Sequence, residues 1–225
     1  MNKVRKGGIL SLFCSLLHLM IAGTIVLAGL LLLFLDEHSP VVGIFGNIAF
    51  YFLIPLLGVG VGVLQILVLI FGLKALVYKS RKGKALWILS IIYLSLNIFI
   101  HSIYFILFYE EFSWIAWGVI FTSSFSLANP IHLTGFILII ISTLGTVISF
   151  GYLLIIMKKI YPIEGLEPAG FAQLISILPY AIQYSIGFGI TVISPVPIIL
   201  VGGFFMTISF LILGIGLLKF KLEDY

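Results

Sequence analysis

Apolar residues in this chain come in long blocks, with the polar residues gathered between them. The blocks cover residues 8–35, 40–78, 85–109, 130–157, 171–193 and 195–218. A helix needs about 20 apolar residues to cross the ~30 Å hydrocarbon core of a bilayer. Five of the blocks suit one crossing each. The second is longer, and its 39 residues would make a single helix of ~58 Å. Pro55, followed by Gly58, Gly60 and Gly62, marks a break in it. The reading is a short outer or re-entrant helix over residues 40–52, then a crossing helix from about residue 53. Two crossings in this block would put the later basic loops on the outer side.

The ends of the blocks carry helix signals. Spans two, four and six open with Ser39-Pro40, Asn129-Pro130 and Ser194-Pro195. Ser or Asn caps an orphan amide, and proline in the first turn loses no helical hydrogen bond. Each of these spans ends near lysine, which suits the negative end of the helix dipole. The expected architecture is an all-α integral membrane protein, one domain over residues 1–225. Its six transmembrane helices are expected at about 8–35, 53–78, 85–109, 130–157, 171–193 and 195–218.

Composition turns this pattern into a class. The chain is 62% hydrophobic and 9% charged, with a mean hydropathy of +1.30. A soluble domain is about half apolar and a quarter charged. The twelve basic residues are Lys3, Arg5 and Lys6, then Lys74, Lys79, Arg81, Lys82 and Lys84, then Lys158 and Lys159, then Lys219 and Lys221. With six spans and a cytoplasmic N-terminus, all of them fall on the cytoplasmic side, as the positive-inside rule requires. Both termini are then cytoplasmic, and "KSRKGKA" (residues 79–85) is the loop that holds the topology. The net charge of +4 suggests nucleic acid at first sight. The placement of the basic residues at span ends makes topology the better account, and no nucleic-acid partner is expected. The expected setting is the cytoplasmic membrane, with the lipid bilayer as first partner.

The N-terminus resembles a signal peptide only in its charges. The apolar run 8–35 is longer than the ~7–15 residues of such a segment and lacks a small-residue cleavage site, so it reads as a retained helix. The long outer loop 110–129 carries Trp114 and Trp117, which favour the membrane interface, and Trp87 sits at the inner one. "RKGGILSLFCSL" from Arg5 and "RKGKALWILSII" from Arg81 enter the membrane alike, suggesting three hairpins of one orientation. The alternative is that apolar helices with basic ends look alike.

No Asp, Glu, Lys or Arg lies in the middle of a span. This weighs against a carrier using a buried carboxylate, an intramembrane aspartyl protease and a voltage sensor. Cys14 is the single cysteine, so neither an internal disulfide nor a CxxC site exists. His18 and His101 differ in depth by ~9 Å in straight helices, too much for two axial haem ligands. The outer residues Asp36, Glu37, His38, Glu110, Glu111 and His132 match no metal motif. No cofactor or metal is expected, and phosphate-binding, zinc-protease and nucleophile-elbow motifs are missing.

The candidate site is a polar stripe on the third span. Tyr93, Asn97 and His101 recur every four residues and share a face, with Tyr104 nearby. Gln65, Gln183 and Tyr184 are candidate partners from other spans. The stripe either binds a ligand head group or forms interhelical hydrogen bonds of about 0.6 kcal/mol each. Gly58 and Gly62 form a GxxxG pair suited to close helix packing within the chain or between copies.

These features favour a non-enzymatic membrane subunit or scaffold that acts through helix association, with a membrane-protein partner or its own copies. The second reading is a carrier or channel for a neutral or lipid-like solute near Asn97 and His101. The third, a lipid-modifying enzyme, would have to rely on Glu110, Glu111 and His132.

Overall fold

The computed structural model describes residues 3–34, 53–107, 130–187 and 195–220. The expected outer helix over residues 40–52 and the loop 110–129 lie outside the described residues. The described chain is helical, without strands. Its helices are α1 (Lys3–Phe34), α2 (Ile54–Leu67), α3 (Lys74–Val77), α4 (Arg81–Leu107), α5 (Pro130–Ile160), α6 (Leu166–Ile175), α7 (Ile177–Gly187) and α8 (Pro195–Lys219). A π-helical turn, Val68–Leu73, joins α2 to α3.

Five segments are long and apolar enough to cross a membrane: Lys3–Leu27, Leu56–Val77, Arg81–Ile100, Leu133–Ile160 and Leu200–Lys219. A shorter apolar stretch, Leu166–Ile182, joins them. This is the character of an all-α, multi-pass membrane bundle.

Several ends follow from local chemistry. The helices α5 and α8 begin at Pro130 and Pro195 and end in Lys158, Lys159 and Lys219. Pro55 lies in the first turn of α2, where its missing N–H is harmless. Between α6 and α7 the helix breaks at Ser176. Pro179 cannot donate to the carbonyl of Ile175, so the ladder loses a bond there. The turn before α6 depends on Gly165, whose φ of 93° is the left-handed conformation. A Cβ there would also come within 2.9 Å of Ile212.

Neighbouring helices close a ring. In order around it come α1, α2, α4, α5, the bent pair α6–α7, and α8, which returns to α1. The first and last helices share the most extensive seam. Each sequential hairpin occupies adjacent places in this ring.

All the described basic residues gather at one end of the bundle. There Lys79 sits 5.5 Å above the Tyr161 ring, and Tyr161 meets Phe220 edge-on at 6.1 Å. Burial raises the Tyr161 phenol above the ordinary tyrosine range. A phenol is neutral near pH 7, and the contact with Lys79 is cation–π in character. Leu69, Leu73, Leu76, Leu153, Leu154, Met157 and Phe210 fill the interior. Phe13, Leu19, Ile92, Phe99 and Phe204 point outward, an arrangement suited to lipid rather than water.

Candidate functional site

Polar side chains within the bundle fall largely on the seams between helices. On the α1–α8 seam, Ser11 Oγ donates to the Phe210 carbonyl at 2.7 Å, and Ser15 Oγ to the Thr207 carbonyl at 3.0 Å. Hydroxyls four residues apart on α1 thus meet one strip of α8. The helices approach closely because Gly8 faces Gly214. A Cβ on Gly8 would lie 2.9 Å from the Gly214 carbonyl oxygen.

One turn further along α1 is a mixed polar and aromatic cluster. His18 stacks on Phe210 at 5.6 Å, and Phe210 stacks on Phe150 of α5 at 5.6 Å. His18 Nδ1 lies 2.9 Å from the Cys14 carbonyl. A carbonyl only accepts, so Nδ1 carries a proton. The Cys14 thiol lies 3.8 Å from the same nitrogen and is hydrogen-bonded by Gln65 of α2. This network ties α1 to α2 on one side and to α8 on the other.

The α4–α5 seam holds most of the predicted stripe. Asn97 Nδ2 donates to Ser142 Oγ at 3.0 Å and to Thr143 Oγ1 at 2.9 Å. Tyr93 lies flat against Gly145, where a Cβ would come within 2.6 Å of its ring. Ser90 and Ser149 hydroxyls are 3.0 Å apart. The helical backbone carries His101 further along α4, and its side chain lies outside the described set, as do those of Tyr104, Gln183 and Tyr184. Tyr93 and Asn97 therefore face α5, whereas the hydrogen bond of Gln65 goes to Cys14 of α1.

Of the glycine pair on α2, Gly62 is the packed one. A Cβ there would lie 2.7 Å from Ile98 of α4, whereas one on Gly58 would meet no described residue within 4 Å. The π-helical turn explains another contact between these helices. It displaces carbonyls from the regular ladder, and Trp87 Nε1 donates to the Leu69 carbonyl at 2.8 Å.

The α6–α8 seam contains a side chain that sequence reading did not single out. Ser209 Oγ donates to the Ala169 carbonyl at 2.8 Å, and Ser176 Oγ lies 3.5 Å from Met206 Sδ. Gln173 sits between these two contacts on the same helix and is fully buried. Among the described residues, its carboxamide oxygen and nitrogen have no hydrogen-bond partner. Leaving such groups unsatisfied costs about 1–3 kcal/mol. A lone glutamine near the start of an apolar run gives no sequence signal for this role.

Counted from the basic ends of their helices, Cys14, Gln65, Ser90, Ser149 and Ser209 lie in a layer about 13–18 Å deep. Gln173 lies between the levels of Ser209 and Met206 on α8, about 15–20 Å from that helix's basic end. Among the described residues no three His, Cys, Asp or Glu side chains group to hold a metal ion. Compared with protein-family models, with curated proteins and with solved structures, the chain has no match in any of the three.

Proposed function

We propose that this chain is a non-enzymatic subunit or scaffold of the cytoplasmic membrane that works by helix association. In this reading the five long apolar helices and the bent α6–α7 pair make six crossings, and both termini are cytoplasmic. The basic end then faces the cytoplasm, in accord with the positive-inside rule.

The observation that carries the proposal is the use of the polar side chains. Ser11, Ser15, Ser90, Asn97 and Ser209 each bond a neighbouring helix. Their chemistry holds helices together, which suits a structural part of an assembly. Among the described residues, nothing lies within 4 Å of where a Cβ on Gly23, Gly58 or Gly203 would stand, and small residues of this kind let a helix approach closely. The test is purification from the native host in lipid nanodiscs, followed by native mass spectrometry. A stoichiometric second protein or a second copy supports the proposal, and a lone chain at native abundance contradicts it.

Gln173 favours a second reading, a carrier for a neutral or lipid-like solute. A buried carboxamide without protein partners would offer one donor and one acceptor to a polar group entering the ring. Gln173→Leu removes the unsatisfied groups while keeping a similar volume. The expected outcome is a stability gain of about 1 kcal/mol, read by thermal unfolding in detergent, with loss of any solute flux in liposomes. Destabilisation by this substitution would show that the carboxamide has a structural partner.

A further inference from the structure

The densest group of cations lies around the tight turn from α3 into α4. Its backbone is well held. Ser80 N–H donates to the Val77 carbonyl at 3.1 Å, Lys84 N–H to the Ser80 carbonyl at 2.9 Å, and Gly83 N–H to Ser80 Oγ at 3.0 Å. The turn places Lys84 Nζ above the Tyr78 ring, 5.9 Å from its centre. Lys74 lies one helical turn before Tyr78 and so shares its face. Tyr78, 65% exposed, thus has the Lys84 ammonium over its ring and Lys74 one turn back on its own helix.

The surface below these charges is apolar. Phe71 precedes Lys74 on the exposed side of its helix, and Ile88 and Ile92 follow Lys84 on the exposed side of α4. The two helices are neighbours in the ring. Cations and an amphipathic ring at the membrane edge, with exposed hydrocarbon running inward beneath them, match the shape of one molecule. That molecule has an anionic head and apolar tails.

We infer that the α3–α4 turn is a binding site for an anionic phospholipid. Lys74 and Lys84 meet its phosphate, Tyr78 packs beside the head group, and the acyl chains run along Phe71, Ile88 and Ile92. Phosphate accepts hydrogen bonds from ammonium groups, and each lysine at the bilayer surface favours an anionic head. The inference needs the chain to sit in a bilayer. It depends on neither the subunit reading nor the solute reading.

The experiment titrates the detergent-solubilised full chain with phosphatidylglycerol, with phosphatidylcholine of the same acyl chains, and with inorganic phosphate. Lipid adducts are read by native mass spectrometry and protection by thermal unfolding. The expected result is selective retention of phosphatidylglycerol. Lys74→Gln with Lys84→Gln weakens it about 25-fold, taking each surface charge as about fivefold. Lys158→Gln with Lys159→Gln, at the same end of the bundle, leaves it intact. Three results would overturn the inference. They are equal retention of both lipids, equal weakening by the two double variants, and equal protection by inorganic phosphate. Lipid selectivity is measured on the unaltered chain, so that arm decides even where a variant fails to fold.

Discussion

The two ends of this bundle are packed by different rules. At the basic end, backbone meets backbone. Gly7 lies against Gly72, Gly8 against Gly214, and Gly216 against the Glu164 carbonyl. Toward the other end, Gly23, Gly58 and Gly203 could each carry a Cβ with no described residue inside 4 Å. Glycine is common throughout, but its role changes along the membrane normal. At the basic end it removes the side chain that would hold helices apart. At the other end no described residue packs against its missing side chain.

The largest test of this contrast is Gly7→Ala. The added carbon would overlap the backbone of Gly72, and neither helix has a side chain there to move aside. A loss of about 3 kcal/mol is expected, measured as a lower unfolding temperature in detergent and poor recovery of folded protein. Asn97→Leu comes next. It removes two bonds to α5 at about 0.6 kcal/mol each, so stability should fall by about 1 kcal/mol. A fall in solute flux without this loss of stability would instead make Asn97 a ligand contact. Gly58→Ala is the smallest. The isolated chain should be unchanged or up to about 1 kcal/mol more stable, because alanine is the better helix former. If a partner helix uses that face, native mass spectrometry of the same variant should show less of the complex.

The membrane-crossing elements were legible because their signals are one-dimensional. Run length, the positions of Lys74, Lys158 and Lys219, and the prolines at 130 and 195 mark ends without reference to any neighbour. The seams were not. The long helices are apolar on every side, so no polar face tells which side turns inward. That Gly7 meets Gly72, or that Gly8 meets Gly214, depends on helix rotation and on contacts far apart in sequence. The π-helical turn at Val68–Leu73 leaves no trace in regular spacing, whereas the break at Ser176 has a sequence signal in Pro179.

The candidate site was legible to the same degree. Tyr93 and Asn97 share a face by spacing alone, and that face abuts α5. Gln65, a candidate partner of that stripe by sequence, instead hydrogen-bonds Cys14 on α1. The hydroxyls at Ser11 and Ser15, and at Ser142, Thr146 and Ser149, repeat at helical spacing and could have been read as seam residues. Gln173 could not, because what distinguishes it is the absence of bonding partners around its side chain.

The account rests on α8 returning to α1 to close the ring. The most direct measurement is oxidative cross-linking of Ser15→Cys with Thr207→Cys in a Cys14→Ser background, which removes the single native thiol. The Ser15 hydroxyl reaches the Thr207 carbonyl at 3.0 Å, which sets α1 beside α8 at this level, so an intrachain cross-link is expected in native membranes and should shift the monomer on a gel. No cross-link, or cross-links only between chains, would contradict the closed ring.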